Sequence, residues 1–189
     1  MSDKPVAAGK SSFDLIDVEK ALAIMSLKPD SVFLDLACGI GKYSVEIAKN
    51  IGEKGTVYAI DLWEEGIEAL NQEIGILGIK NIKTIITDIR NKLPLEENSI
   101  NACLMATILH DLSISDQQKA LGEVARVLKD GGTLNIIEFK KIDKGPGPPL
   151  HVRMDDKQVE AVVTPYGFVR VARSYIGKFN YILKYKKSL

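Results

Sequence analysis

Apolar residues in this chain fall into short continuous runs that alternate with stretches of helical spacing. Val18, Ala21, Leu22 and Met25 recur at i, i+3, i+4 and i+7, and Asp17 stands where it can cap the helix they predict. Lys28, Pro29 and Asp30 end it. Residues 31–36 (SVFLDL) read as a first strand, and residues 42–51 as a helix with Tyr43, Ile47 and Ile51 on one face. The alternation then repeats. Strands are predicted over 56–60, 81–87 and 100–105, with a helix over 64–76 whose first turn holds Glu64 and Glu65, where the helix dipole favours acids. Ser115 or Asp116 is expected to cap the next helix, running to Leu128 with Leu121, Val124, Ala125 and Leu128 inward. Asp130, Gly131 and Gly132 predict a tight turn, and residues 133–139 a fifth strand.

The near-continuous apolar character of these strands fits burial on both faces. Strand–helix alternation of this kind predicts a doubly wound parallel sheet. The pattern changes after Lys140. Gly145, Pro146, Gly147, Pro148 and Pro149 are too rich in breakers for an element and imply a short lid loop over 142–154. Asp155 and Asp156 can open a short helix to Val163. Residues 169–176 and 179–185 are strand-like, and the Gly177-Lys178 link between them indicates a hairpin. The expectation is an α/β sheet, parallel through five strands and completed by an antiparallel pair.

At 189 residues the chain is expected to form one domain over 1–189, with residues 1–12 flexible. Lys plus Arg (25) balances Asp plus Glu (25), so the chain lacks the bulk positive field behind nonspecific nucleic-acid binding, and no nucleic-acid partner is expected. The two cysteines, Cys38 and Cys103, cannot form a disulfide framework, and no Cys/His spacing offers a metal site. No apolar run approaches the roughly 20 residues of a membrane span, and the polar start lacks a signal-peptide core. A cytoplasmic protein is expected.

Open parallel sheets bind ligands outside the carboxyl ends of their strands. Four features fall at such ends: the turn over 35–41, Asp61, Asp88, and the stretch over 106–111. Gly39 and Gly41 permit a sharp turn and close approach of a ligand just before a helix N-terminus, although glycines after a strand also serve as turn formers alone. Asp61 can accept two hydrogen bonds from ribose hydroxyls; the plainer reading is a cap for the helix beginning at Glu64. Asp88 can accept from an adenine amino group or be a solvated turn acid. A G-x-G-x-x-G fingerprint is incomplete, because Ser44 takes the place of its third glycine, which counts against NAD.

The stretch DLACGIG over 35–41, then Asp61, Asp88 and the run ARVLKDGGTL over 125–134, resembles the class I S-adenosylmethionine-dependent methyltransferases. The similarity is greatest to the branch of ubiquinone/menaquinone-biosynthesis and arsenite methyltransferases, and covers residues 15–186. It implies a three-layer, Rossmann-like, seven-stranded sheet with the last strand antiparallel, in agreement with the hairpin. It also implies S-adenosylmethionine as cofactor. Asp35, Ala37, Cys38, Gly39 and Gly41 would contact its methionine part, Asp61 its ribose, and Leu62 the adenine. Asp88 and the Ile89 backbone would bond the adenine ring, and the Ala106 carbonyl would receive the amino group. Ala37 stands where many members have Gly. Asn101 replaces a frequent Asp, and a structural role is expected for it.

Transfer from a sulfonium needs orientation and a shielded site above all, and acid–base chemistry only where the acceptor must lose a proton. His110 follows the fourth strand and is the candidate base or acceptor-orienting group, with a helix-end histidine as the alternative. Asp111 can orient it or cap the next helix. Glu138 either points into the site or reaches solvent, since an acid inside a strand is costly to bury. Tyr43 either closes over the cofactor or edges the core. Arg153 either grips an acceptor carboxylate or anchors the lid loop to an acid. A short lid implies a small-molecule acceptor, or a pocket completed by a second subunit in a homodimer. The two cysteines are expected to act as small buried hydrophobes, against an arsenite acceptor. Two other functions compete: a nicotinamide-dependent oxidoreductase on a similar sheet, and a non-catalytic partner subunit that retains the cofactor.

Overall fold

The computed structural model describes Gly9 and residues 11–188. Seven strands form one sheet: β1 (Val32–Leu36), β2 (Thr56–Asp61), β3 (Ile82–Ile86), β4 (Ile100–Ala106), β5 (Leu128–Phe139), β6 (Phe168–Tyr175) and β7 (Asn180–Lys187). Their order is β3-β2-β1-β4-β5-β7-β6. The first five are mutually parallel, and β7 runs antiparallel to both β5 and β6. This is the expected architecture. Of the segment expected to be flexible, residues 1–8 and 10 lie outside the described residues; Ser12 is buried, its hydroxyl 2.9 Å from that of Tyr43.

Side-chain alternation sends each strand's residues to two separate cores. Phe33, Val57, Leu104, Ile137 and Ile182 pack under α1 (Val18–Met25) and α2 (Lys42–Ile51). Leu34, Leu36, Met105 and Ile136 pack under α4 (Ile114–Val127) and α5 (Asp156–Val163). The remaining helix, α3 (Glu64–Leu77), packs along β2 and β3. Among the described residues no helix is long and apolar enough to cross a membrane.

Local chemistry sets the helix ends. Asp17 accepts the Lys20 N–H at 3.0 Å and opens α1, which stops at Ser26 in the left-handed region before the Lys28-Pro29 breaker is reached. Asp155 and Gln158 form a reciprocal capping box at α5. Two sequence expectations are corrected at α4. Its cap is Ser113, which accepts the Asp116 N–H at 3.2 Å, rather than Ser115 or Asp116. Leu128 belongs to β5, paired with Ile100, rather than to the helix. The Asp130-Gly131-Gly132 turn is absorbed inside β5, where the register against β4 jumps from Ile100–Leu128 to Ala102–Thr133.

Asn101 has the structural role expected of it. Its side-chain oxygen accepts the Val32 N–H at 2.9 Å and ties the start of β1 to β4. We expect Asn101→Ala to lower unfolding free energy by about 1–3 kcal/mol in chemical denaturation, because a half-buried backbone donor loses its acceptor.

Candidate active site

Strand order reverses between β1 and β4, so the connections leaving their carboxyl ends diverge and leave a crevice. The register makes the strand tips level: Leu36 pairs with Ile60 and with Met105, and Ala106 pairs with Ile137. Asp61, Ala106 and Glu138 therefore come to the same end of the sheet. A cavity of about 1020 Å³ opens there. Ten of the eleven residues singled out in the sequence line it: Asp35, Ala37, Cys38, Gly39, Asp61, Leu62, Asp88, Ile89, Ala106 and His110. Gly41 does not. It caps α2 at φ 72, and the space a Cβ would need is filled by Leu70.

Asp61 joins two walls of this cavity. Its Oδ2 accepts the Gly39 N–H at 2.7 Å and its Oδ1 accepts the Trp63 N–H at 2.8 Å. It is thus no cap of α3, whose cap residue is Trp63. A carboxylate has about four acceptor positions, so two bonds leave room for hydroxyl donors. Gly39 has φ 57, and a Cβ on it would meet nothing within 4 Å, so the turn presents bare backbone to the cavity. Ala37 (φ 63) and Thr107 (φ 54) also sit in the left-handed region at the cavity edge, a conformation costing about 1–2 kcal/mol in a non-glycine residue.

Ser44, the departure from the dinucleotide fingerprint, proves functional in packing. Asp35 lies on the same face of β1 as Phe33, under α2, and Ser44 is fully buried on α2. The Ser44 hydroxyl donates to Asp35 Oδ2 at 2.6 Å. Burial raises the Asp35 carboxyl to about 7; the Ser44 bond opposes the rise and the nearby Asp61 charge adds to it. The Cys38 thiol is pushed far up by burial, then by Asp35 and Asp61, and stays protonated. Cys103 is fully buried as expected, whereas Cys38 is half-buried and faces the cavity.

The cavity carries an excess of carboxylate. Asp14, Asp35, Asp61, Asp88, Asp111 and Asp116 line it, and among its described lining residues only Lys42 and Arg90 hold a permanent positive charge. Both are engaged: Lys42 with Asp14, and Arg90 with Asp88 at 2.6 Å. Asp88 is held below the usual carboxylate range by the Arg90 hydrogen bond. These features suit a cationic ligand with a sugar hydroxyl pair, and fit S-adenosylmethionine better than a pyrophosphate bearing two negative charges. Among the described residues no three His, Cys, Asp or Glu side chains cluster as metal ligands.

On the other side of the cavity stands His110, its side chain 4% exposed. Its Nδ1 lies 2.6 Å from Glu138 Oε2, and its backbone N–H donates to Glu138 Oε1 at 3.3 Å. Glu138 is fully buried, so it neither reaches solvent nor meets the ligand directly. The orienting role weighed for Asp111 passes to Glu138, since Asp111 Oδ1 is 3.5 Å from Nε2. Burial pulls the imidazole down, but the Glu138 bond and the Glu138 and Asp111 charges outweigh it and leave it raised.

Arg153 anchors the lid loop, but not to an acid. Its guanidinium donates to four carbonyls: Pro148 at 2.8 Å, Lys140 at 3.1 Å, Ile142 at 3.0 Å and Pro146 at 3.1 Å. It is buried and does not line the cavity, and His151 is exposed. Tyr43 lines the cavity from α2 and is edge-on to Phe13 at 5.1 Å. Sequence reasoning missed Trp63, Phe139 and the segment around Ser12 and Asp14, all of which line the cavity. Nothing in their local pattern marks them.

The Asp35 shift makes a pH prediction. Its folded value, about 7, exceeds its unfolded value near 3.9, so the folded state binds the extra proton between them. Stability from this group is present below pH 4, declines up to pH 7 and is level above it. The full span is on the order of 4 kcal/mol. Urea unfolding of the ligand-free protein across pH 4–8 should show this decline relative to Asp35→Asn, which lacks the titrating group.

A model of the methyltransferase domain matches residues 27–185. The chain is 29% identical over 120 residues to a demethylmenaquinone methyltransferase of Bacillus mycoides, covering 64% of this chain and 49% of that protein. It is 35% identical over 127 residues to a ubiquinone/menaquinone biosynthesis C-methyltransferase of Hydrogenovibrio crunogenus, covering 65% and 47%. These matches span about half the length of the curated relatives. A solved S-adenosylmethionine-dependent methyltransferase from Aquifex aeolicus superposes with a TM-score of 0.85 at 32% identity, covering 94% of this chain and 93% of that one. With the strand order, the Asp61 bridge and the carboxylate-rich crevice, these likenesses establish that the chain belongs to the class I S-adenosylmethionine-dependent methyltransferase family.

Proposed function

We propose that this chain transfers a methyl group from S-adenosylmethionine to a small-molecule acceptor of quinone type. The observation that carries the reading is the Asp61 carboxylate, bonded to both the Gly39 turn and the entry to α3 while facing a cavity whose permanent cations are already paired. The names of the two quinone-pathway relatives support the acceptor class.

When bound, the cofactor supplies an activated methyl group. The chain's own residues bind and orient. Asp61 receives the ribose hydroxyls; Leu62 and Ile89 flank the adenine, with Asp88 at its amino group. Bare backbone at Ala37, Cys38 and Gly39 receives the methionine part, with Asp35 behind it and Gly41 holding the turn to α2. The Ala106 carbonyl accepts its amino group. His110 faces the acceptor. The segments around Ser12 and Pro148 both line the cavity, which supports a small acceptor. The carboxylate excess weighs against a nicotinamide dinucleotide.

Thermal unfolding with S-adenosylhomocysteine at a hundredfold excess over its dissociation constant should show stabilisation of about 2.7 kcal/mol, and NAD and NADP should show none. A shift with NAD alone would overturn the reading. Asp61→Ala should weaken S-adenosylhomocysteine binding in titration calorimetry by about 1.5–3 kcal/mol, through loss of charge-assisted bonds to two hydroxyls. Unchanged affinity would remove Asp61 from the binding site.

A further inference from the structure

In the methyltransferase reading above, Asp88 accepts the adenine amino group, yet Arg90 already meets the acceptor positions this carboxylate has. Oδ1 accepts the Arg90 backbone N–H at 2.9 Å and the Nε–H at 2.9 Å. Oδ2 accepts the same Nε–H at 2.9 Å and an Nη2–H at 2.6 Å. A carboxylate offers about four such positions. The backbone part of this arrangement is enough to hold the turn: Asp88 Oδ1 takes the Arg90 N–H, and the Asp88 carbonyl takes the Asn91 N–H at 3.0 Å. The guanidinium is a separate addition. The Arg90 side chain is 46% exposed, and an exposed ion pair adds little to stability. What it does change is the acceptor capacity of a carboxylate that lines the cavity.

We propose that Arg90 is a gate on the adenine subsite: in the free protein its guanidinium occupies the Asp88 oxygens, and a ligand reaches them only by displacing it. The inference rests on the methyltransferase reading and adds a competitor to its donor site. In the exchange the Nε–H and Nη2–H bonds to Asp88 break, and the adenine amino group donates to the carboxylate in their place. The backbone N–H of Arg90 keeps its bond to Oδ1, so the carboxylate holds its orientation throughout. The freed guanidinium has a second acid to turn to. The Asp88 hydrogen bond and charge, and then the charge of Asp116, hold the guanidinium's proton affinity above its ordinary value. Asp116 is in the first turn of α4 and lines the same cavity.

Displacement subtracts a fixed amount from the affinity of every ligand that presents a 6-amino purine. It subtracts nothing from a purine that lacks the group, because Arg90 then stays on Asp88. Salt screens exposed charges, so the subtraction shrinks as salt is added. A guanidinium that held the adenine instead, by lying over the ring, would act in the opposite sense, and its removal would weaken binding.

The experiment uses the full chain and two ligands: S-adenosylhomocysteine, and its analogue with unsubstituted purine in place of adenine. Binding is read by titration calorimetry and by the fluorescence of Trp63, the single tryptophan, which lines the cavity. Arg90→Ala keeps the N–H that holds the Asp88 turn and removes the guanidinium alone. It should tighten S-adenosylhomocysteine binding by about two- to fivefold and leave the purine analogue unchanged, so the preference for the amino group widens by the same factor. Added potassium chloride should shrink the difference between variant and wild type. Arg90→Met serves if Arg90→Ala does not fold, and should give the same gain. If S-adenosylhomocysteine binds wild type and the variant binds it equally or more weakly, or if the purine analogue gains as much, the guanidinium is no gate and this proposal is overturned while the methyltransferase reading stands. If neither wild type nor the variant binds S-adenosylhomocysteine, that reading fails, and this one with it.

Discussion

Asp61 accepts one hydrogen bond from the turn after β1 and another from the entry to α3, and the shape of the crevice depends on both. The parallel sheet brings the tips of β1 and β2 level, but level tips leave two loops free to splay. One carboxylate at the end of β2 draws the loops to a common point. A backbone donor on each side fixes its orientation, so its remaining lone pairs face the cavity before any ligand arrives. Preorganisation of this kind removes ordering cost from the binding step.

Charge is also buried beside the crevice. Asp35, Glu138 and Arg153 are all nearly inaccessible, and each is satisfied by a different means: a serine hydroxyl, an imidazole with two backbone donors, and four carbonyls. All three stand beside the crevice, whereas the fully buried Asn135 sits mid-strand in β5 and donates to the Cys103 carbonyl at 3.1 Å.

Much of this was legible in the sequence. Near-continuous apolar runs located most of the strands, and the bounds of α2 were read correctly, because a glycine with positive φ stands just before it and another just after it. The strand-end acids and the glycine turn placed ten of eleven candidate residues around one cavity, since a parallel sheet necessarily gathers its strand ends. The misses share a cause. Ser113 gave no local advantage over Ser115 as a cap, and only the path of the preceding turn decides between them. The partner of His110 could not be read, because Asp111 is adjacent in sequence while Glu138 is 28 residues away and meets it through the β4–β5 register. Arg153 was expected to seek an acid, yet a tight loop offers carbonyls closer than any carboxylate.

That choice of acceptors separates the lid's path from its side chains. Pro148, Lys140, Ile142 and Pro146 meet the guanidinium through main-chain oxygen, which every amino acid possesses. The arginine therefore holds the strap's path without reading the side chains of those four residues, and the positions barred from change are Gly145 and Gly147, both at φ 103, where Phe179 and Phe139 fill the space a Cβ would need.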